Sequence, residues 1–304
     1  MTGIFLARNG FNVKIYERDL KREKPCAGGL PWRLIEEFGE FVEDIPQYPI
    51  KDVLFDIEGE KFEMNFSRNV GVVVERFAFD RNLRIITKNE GIEIVNKNID
   101  LKQLKDDFII DARGYVKSHK PAIAIKCICK KRNQKMLFVF KSKIVKTGYF
   151  WIFPISDRLV NVGVGDFTSH FKIKPIEALK WFLREMSLKT SKFTAAPICL
   201  DGKIENLVEN NVIKVGESGG LVNPITGEGI YYAMKSGEIA ANCIINDKVC
   251  DYEKIIKDKF SKEFKISKLV YFLSRLPAPI KRKVFKFGLN HTKSKIERGS
   301  LNLV

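Results

Sequence analysis

The chain has 304 residues, 45% hydrophobic and 30% charged, a composition typical of a globular protein with room for two compact domains. It contains no run of 18 apolar residues, so the sequence predicts no transmembrane helix. The formal net charge is +16, and residues 251–304 alone carry fourteen Lys and Arg against five Asp and Glu. Such an excess is typical of a contact with nucleic acid or an anionic membrane, or of a solvated basic tail.

Cysteine and histidine usage limits the chemistry further. The six cysteines show neither disulfide-framework nor zinc-site spacing, and the three histidines lie far apart in the sequence. We therefore expect reduced thiols, a cytoplasmic location and no metal site.

The first elements predict part of a nucleotide-binding unit. Residues 1–8 form a predicted helix that Gly10 ends, and residues 11–16 (FNVKIY) form a predicted strand with Glu17 at its C-terminal end. In a βαβ unit, an acidic residue at this place accepts hydrogen bonds from a ribose. The strand and the G-x-G-x-x-G loop that open such a unit are not found before this helix, and without them Glu17 is also interpreted as a surface charge.

The middle of the chain is rich in predicted strands. After a loop at 24–30 and a short helix at 32–41, the sequence predicts a hairpin (53–57 and 61–66), a strand (70–74), a helix (77–89) and two strands (92–95 and 108–110). Four apolar strands follow at 122–129, 136–143, 148–153 and 159–164, a run suited to an antiparallel sheet. A helix at 175–185 and a short strand at 198–205 complete this block.

A second strand–loop–helix unit spans residues 212–245. Glycines in its loop let backbone N–H groups approach a ligand, and the helix behind the loop presents a partial positive charge at its N-terminus. The unit suits a phosphate, a carboxylate or the anionic edge of a reduced flavin. Farther on, apolar residues at helical spacing predict a helix from Tyr252, which Pro277 and Pro279 end before a last basic helix.

The same loop contains G-x-S-x-G around Ser218, the pattern of a hydrolase nucleophile elbow, and Asp251 and His291 follow in triad order. In an elbow, the serine runs directly into a helix. Here Pro224 and Gly227 separate Ser218 from the helix, which disfavours a hydrolase.

Four motifs carry a family resemblance. They are the loop and helix start at 215–230 (VGESGGLVNPITGEGI), the cysteine loop at 25–29 (PCAGG), the stretch 76–81 (RFAFDR), and the aromatic motif Tyr149, Trp151, Phe153 and Pro154 followed by Gly163 and Gly165. Together they resemble the geranylgeranyl reductase family of FAD-dependent oxidoreductases, within the wider p-hydroxybenzoate-hydroxylase-like flavoproteins. The aromatic motif, Y-x-W-x-F-P with G-x-G after eight residues, is the most specific of the four. The resemblance covers residues 1–250.

The resemblance implies an α/β fold with mixed α and β elements. It implies a split Rossmann-like FAD domain lacking its first strand and phosphate loop (1–47, 70–115 and 206–250), an inserted antiparallel-sheet substrate domain (48–69 and 116–205) and a basic helical C-terminal segment (251–304). It further implies hydrogenation of isoprenoid double bonds, such as those of geranylgeranyl chains in membrane lipids or their precursors, by reduced FAD. The electron donor would be a reduced nicotinamide or a ferredoxin, and nucleic acid is not expected as a partner.

The resemblance also implies roles for individual residues. Cys26 is the expected catalytic proton donor, with a small buried thiol as the alternative interpretation. The residues expected to contact the lipid chain are Tyr149, Trp151, Phe153, Pro154, Gly163 and Gly165. The alternative interpretation is that the aromatic residues among them form a face of the core. The residues expected to contact FAD are Glu17, Arg18, Gly28, Gly29, Arg76, Gly216, Glu217, Gly220, Pro224, Gly227, Gly229 and Ile230.

The chain departs from the family pattern at three places. The first FAD motif lacks its strand and glycines, Glu217 stands where the family has Asp, and Arg113 replaces the Asp of an Asp-Gly pair. The sequence therefore resembles an N-terminally truncated member, which leaves three interpretations: an intact enzyme whose start was assigned too far downstream, a flavin-fold protein without activity that binds lipid surfaces, or another FAD-dependent hydroxylase or dehydrogenase. The basic C-terminal segment suits an anionic membrane surface, with a peripheral location, or a solvated helical cap.

Overall fold

The computed structural model of the protein describes residues 1–21, 24–115 and 121–297. Its α-helices are α1 (Thr2–Arg8), α2 (Trp32–Phe38), α3 (Arg76–Asn89), α4 (Pro175–Glu185), α5 (Ile230–Ile245), α6 (Tyr252–Leu273) and α7 (Ala278–Glu297). Its strands are β1 (Lys14–Glu17), β2 (Gly29–Pro31), β3 (Gln47–Ile50), β4 (Asp52–Ile57), β5 (Glu60–Asn65), β6 (Gly71–Val74), β7 (Glu93–Asn96), β8 (Ile109–Asp111), β9 (Ala122–Lys130), β10 (Met136–Phe140), β11 (Tyr149–Pro154), β12 (Leu159–Phe167), β13 (Thr194–Ile198), β14 (Val208–Glu209) and β15 (Val212–Lys214). The predicted mixed α/β fold is confirmed.

The first compact unit comprises residues 1–23, 80–119 and 199–268. It contains two small sheets, β1 beside β7 in parallel and β14–β15–β8, in which β15 and β8 are parallel. Helices α1 and α5 approach each other closely, since a Cβ added to Gly237 would lie 3.0 Å from Cβ of Met1. Both predicted pairs of consecutive elements, α1 with β1 and β15 with α5, lie in this unit.

The second compact unit comprises residues 24–79, 120–198 and 269–304. Its main sheet has seven strands in the order β13–β9–β12–β11–β10–β4–β5, and a separate three-stranded sheet has the order β2–β6–β3. One face of the main sheet packs against α4 through side chains such as Phe150 and Phe182, whose rings stack at 4.6 Å. The opposite face carries a second apolar cluster that includes Trp151 and Phe153.

The main sheet is mixed, whereas the sequence predicted an antiparallel one. Strands β9 to β12 are antiparallel as expected, but β10 pairs with β4 in parallel, with Phe138 opposite Phe55. The reason is that the hairpin β4–β5, far earlier in the chain, completes the sheet at the β10 edge. Side-chain alternation alone contains no information about which distant strand pairs at an edge.

The strands predicted at 11–16 and 198–205 differ from the structure. The strand predicted at 11–16 begins only at Lys14, because the N–H of Phe11 still donates to Leu6 O at the end of α1 (3.1 Å). The strand predicted at 198–205 is wrong, since β13 ends at Ile198. Beyond it, the N–H of Cys199 donates to a side chain rather than to a neighbouring strand, and Gly202 has a φ of +55°.

The predicted functional domains stay a prediction, since compactness assigns no function to either unit. The boundaries of the compact units differ from those of the predicted domains. Residues 24–47 and 70–79, which the prediction assigned to the FAD domain, lie in the second unit, and the C-terminal segment is divided between the two units after Lys268. None of the helices described here is at once long enough and apolar enough to span a bilayer.

Candidate functional site

Strand β11 places the three aromatic residues of the predicted lipid motif on one face of the main sheet. Trp151 and Phe153 are buried and Tyr149 is partly buried. Their rings pack with those of β10, and Phe138 contacts both Tyr149 (5.3 Å between centroids) and Phe153 (5.1 Å) in edge-to-face geometry. We refer to the following side chains as the aromatic cluster: Phe55, Phe138, Phe140, Tyr149, Trp151 and Phe153.

The G-x-G part of this motif lies on β12, directly opposite the aromatic residues. Gly163 pairs with Trp151 and Gly165 with Tyr149. A Cβ added to Gly163 would lie 2.1 Å from Cζ2 of Trp151 and 2.5 Å from Ile125 O, whereas one added to Gly165 would meet only ordinary contacts of 3.7 Å or more. The indole of Trp151 thus occupies the space above Gly163, and only the first glycine of the pair is required by packing.

Asn161, also on β12, connects the aromatic motif to the cysteine loop. Its Oδ1 accepts a hydrogen bond from Nε1 of Trp151 (3.0 Å), and its Nδ2 donates to the carbonyl oxygen of Cys26 (2.7 Å). Asn161 is buried, so both amide groups are satisfied inside the protein. One side chain therefore fixes the orientation of the indole and the position of the loop backbone together.

The cysteine loop is held against strand β6. Gly28 has a φ of +86°, and a Cβ added there would lie 2.1 Å from Val74 O, so only glycine fits. The N–H of Val74 donates to Gly28 O (2.9 Å), and Gly29 begins β2, which pairs with β6. The N–H of Gly28 donates to Sγ of Cys26 (3.3 Å), and the thiol is partly accessible. The loop thus presents the thiol at a defined place.

In the first compact unit, the glycine-rich loop runs from β15 to the start of α5. Gly216, Gly220 and Gly227 have φ values of +59°, +71° and +70°, which favour glycine. Asn223 organises the turn by accepting from the N–H groups of Ile225 (3.0 Å) and Thr226 (3.3 Å). Residues 225–230 are all partly accessible, while Pro224 is buried.

The start of α5 fits an anionic group. Gly229 is the N-cap residue and has no side chain to cover the first turn, which begins at Ile230. The helix is 16 residues long, so its dipole places a partial positive charge at this end. The residues present therefore fit the anionic edge of a flavin as the sequence predicted, although the contacts themselves stay a prediction.

Glu217 and Ser218, in the same loop, are both held by the backbone. Glu217 is buried and its Oε1 accepts from the N–H of Cys199 (2.9 Å). Ser218 donates its hydroxyl to Val215 O (2.7 Å) and also contacts Asp111 O. Because the hydroxyl proton of Ser218 is directed at carbonyl oxygens, the loop does not present Ser218 as a nucleophile. This hydrogen bonding further disfavours the hydrolase interpretation. The side chain of His291 lies outside the described part of the chain.

Arg113, one of the departures from the family pattern, pairs with a residue that the sequence did not single out. Its Nε and Nη2 donate to Oδ1 and Oδ2 of Asp111 (2.9 and 2.8 Å), a bidentate pair at the C-terminal end of β8. Burial raises the pKa of Asp111, but the hydrogen bonds from Arg113 outweigh it and the pKa is lowered. The carboxylate is therefore charged at neutral pH.

The other predicted FAD residues are located as follows. Glu17 ends β1 as expected and is exposed, with Oε1 accepting from the N–H of Asp19 (3.0 Å), and Arg18 beside it is also exposed. Arg76 begins α3 in the second compact unit and is partly buried. Their roles stay predictions.

The sequence reasoning missed Asn161 and Asp111. Both carried a signal, because each is a polar residue at a buried position of a largely apolar strand. On β12 the alternation 161, 163, 165 places Asn161 on the same face as the two motif glycines.

Comparison with known proteins finds related sequences and a similar fold. A family model of the geranylgeranyl reductase catalytic domain matches residues 119–198, the segment with β11 and β12. The digeranylgeranylglycerophospholipid reductase of Methanocaldococcus jannaschii is 28% identical over 89% of this chain and 80% of its own. The solved structure of a geranylgeranyl bacteriochlorophyll reductase-like protein from Thermoplasma acidophilum superimposes with a TM-score of 0.79 at 17% identity, covering 100% of this chain and 89% of the other.

A myxobacterial chondrochloren halogenase, a variant of the FAD-dependent halogenases, superimposes with a TM-score of 0.66 at 16% identity, covering 99% and 87% of the two chains. The fold is therefore the one that FAD-dependent oxidoreductases use. In sequence, the chain is similar to the geranylgeranyl reductase family, the same family that the aromatic motif and the cysteine loop resemble.

Proposed function

We propose that the protein is an FAD-dependent reductase of carbon–carbon double bonds in the isoprenoid chains of membrane lipids or their precursors. The observation that carries this proposal is the link from Trp151 through Asn161 to the backbone of Cys26, which joins the lipid motif to the cysteine loop. Relatives that match over most of this chain are named digeranylgeranylglycerophospholipid reductases. Their name supports the same class of substrate here.

We assign the flavin to the glycine-rich loop and the start of α5. When bound and reduced, FAD supplies a hydride to one alkene carbon. The N-terminal end of α5 favours negative charge near Gly229 and Ile230. The further FAD contacts are those expected from the family resemblance, at Glu17, Arg18, Gly28, Gly29, Arg76, Gly216, Glu217, Gly220, Pro224 and Gly227.

The isoprenoid chain is assigned to the aromatic cluster. An unactivated alkene is a poor hydride acceptor, so a dry apolar site that fixes its position supplies much of the effect. Tyr149 is the partly accessible motif residue, whereas Trp151 and Phe153 are buried. We therefore expect the chain to contact Tyr149 first and the other two residues as the cluster makes room. Gly163 leaves room for the indole of Trp151, Gly165 pairs with Tyr149, and Pro154 ends the strand.

Cys26 is assigned as the proton donor to the second alkene carbon. Its thiol is partly accessible, and the N–H of Gly28 donates to Sγ, which fixes the side chain without using its proton. The redox partner that reduces the flavin would be a reduced nicotinamide or a ferredoxin. Because the lipid chains lie in a bilayer, we also propose that the protein works at an anionic membrane surface.

The proposal is tested with purified protein. We expect flavin absorbance bands after incubation with FAD, and after reduction under anaerobic conditions a lipid with geranylgeranyl chains should gain two hydrogens per reduced double bond in mass spectra. Cys26→Ser should lose most turnover while keeping FAD. Cys250→Ser, at an exposed cysteine, is the matched control and should leave turnover unchanged. A colourless protein that takes up no FAD would contradict the proposal.

A further inference from the structure

The large apolar side chains with the highest exposure are concentrated in one short segment. Among the residues that the structure describes, the five most exposed lie between 266 and 287, with exposed fractions from 49% to 76%: Ile266, Leu269, Phe272, Ile280 and Phe287. Every other exposed large apolar residue there has a fraction of 46% or less. Exposed apolar residues scattered singly need no explanation, whereas such a concentration marks a contact surface.

Helix α7 has two faces of different character. Ile280, Lys283 and Phe287 follow one another at helical spacing, and Lys286 lies beside them; all four are exposed. The opposite side is turned inward, as Lys281 is 2% exposed and its Nζ reaches Oε1 of Glu58 (3.2 Å) as well as Ser142. An outer side that combines lysines with a phenylalanine is typical of a helix that lies on a membrane surface.

The inner side of α7 contacts the sheet face that carries the proposed lipid motif. The ring of Phe285 lies 5.2 Å from that of Phe140, and Phe140 lies 5.7 Å from Tyr149. Leu289 also packs against this cluster. One helix diameter, about 10 Å, therefore separates the aromatic cluster from the outer side of α7.

We infer that Leu269, Phe272, Ile280, Lys283, Lys286 and Phe287 form a docking face for an anionic lipid bilayer. The apolar side chains enter the interfacial region and the two lysines contact anionic headgroups. The inference rests on the proposed function in one respect, since a lipid substrate explains why the docking face lies behind the lipid motif. Lys281 and Phe285 take no part in the docking face, because both are turned inward.

The choice of a bilayer over other partners follows from the residues themselves. Nucleic acid is recognised through cations and stacking in a groove, and the exposed aliphatic side chains of Leu269 and Ile280 add nothing to such binding. A second copy of this basic chain would bring the lysines of one face towards those of the other. An anionic bilayer satisfies both the charge and the apolar side chains.

Sedimentation with vesicles tests the inference. Vesicles of phosphatidylglycerol and phosphatidylcholine in equal parts should bind the protein, while pure phosphatidylcholine should bind it at least about tenfold more weakly, since each basic residue near the surface contributes about 1 kcal/mol. F272S/F287S and K283Q/K286Q should each weaken binding about tenfold or more. The matched controls F108S/I173S and K102Q/K105Q, at exposed residues elsewhere, should bind as the wild type does.

Three results would overturn the inference: no binding of the wild type to anionic vesicles, equal losses in the face variants and the controls, or a dimer in light scattering that F272S/F287S dissociates. The reductase assay separates this inference from the proposed function. F272S/F287S should reduce substrate in detergent micelles at the wild-type rate but substrate in vesicles at least about fivefold more slowly. Vesicle binding without any reductase activity would contradict the proposed function and leave the docking face supported.

Discussion

Asn161 donates its side-chain amide to the carbonyl oxygen of Cys26, 135 residues earlier in the chain, at 2.7 Å. The same amide accepts the indole N–H of Trp151, so two hydrogen bonds run from the aromatic motif to the cysteine loop. A buried amide with both ends used has one orientation, which it imposes on its partners. The distance between the proposed proton donor and the proposed lipid motif therefore depends on Asn161.

Replacing Asn161 by Asp tests this dependence. The new carboxylate still accepts from Trp151 but cannot donate to Cys26 O, and it places negative charge beside that carbonyl oxygen. We expect a loss of about 1–3 kcal/mol in the free energy of unfolding, measured in urea, and a fall in the single-turnover rate of alkene reduction with FAD affinity unchanged. Asn211→Asp removes the same type of bond, to Asp106 O, at a more accessible place and should change neither quantity by as much. Equal losses in both variants would show that the bond to Cys26 has no special role.

The two motif glycines should respond differently to alanine. In Gly163→Ala, the new methyl group meets Trp151 at 2.1 Å and the backbone oxygen of Ile125 at 2.5 Å, so the strand or the indole must shift. We expect a loss of about 1–3 kcal/mol or more in the free energy of unfolding, as for other overpacked cores. Gly165→Ala has no contact below 3.7 Å and should change it by less than about 1 kcal/mol. Thermal unfolding of both variants gives the comparison, and similar losses would contradict the packing argument.

Much of this structure could be predicted from the sequence, because local patterns determine local elements. The helix at Pro175–Glu185 and the hairpin of β4 and β5 appear as the spacing predicted. The parallel pairing of β10 with β4 could not be predicted, since it joins segments about 80 residues apart and no residue pattern encodes that choice. In the site, the motif residues were found from the family resemblance, but the partners of Trp151, Cys26 and Arg113 depend on which distant strands meet.

The Asp111–Arg113 pair predicts an acid-dependent contribution to stability. Burial raises the pKa of Asp111. The hydrogen bonds and the charge of Arg113 together lower this pKa by more, so the net change is a decrease. The pair therefore contributes stability above the unfolded-state pKa near 3.9, and the contribution is lost as the pH falls through the lower folded-state value.

Arg113→Ala should cost about 1–3 kcal/mol at pH 7 because the buried carboxylate loses two charged hydrogen bonds. The difference from wild type should shrink as the pH falls below about 4, and it should be lost once the pH passes the lower folded-state pKa of Asp111. Urea unfolding at pH 7 and pH 3.5 measures both values. Arg132→Ala, at an exposed arginine, is the control and should show no such difference. A cost that does not depend on pH would exclude the ionic account.

His170 predicts a second pH dependence, in a different range. Its Nδ1 lies 2.7 Å from Oγ1 of Thr147 and 3.4 Å from Oδ1 of Asp166, and its ring stacks on that of Tyr271. Burial lowers its pKa more than Asp166 raises it, and Arg275 lowers it further. The folded protein thus prefers the neutral imidazole. Its folded-state pKa lies below the unfolded value near 6.5, so the unfolded chain binds more protons and stability falls as the pH decreases below about 6.5.

His170→Gln replaces the imidazole by a group that does not titrate. Between pH 7.5 and pH 5.5 (roughly one unit on each side of the reference pKa), the wild type should lose free energy of unfolding that the variant keeps, as measured in urea at both values. Groups that titrate elsewhere affect both proteins alike, so the difference isolates His170. A direct check is the NMR titration of the His170 ring in the folded protein, which should give a pKa below 6.5. A midpoint at or above that value would mean that the carboxylate of Asp166, rather than burial, governs this histidine.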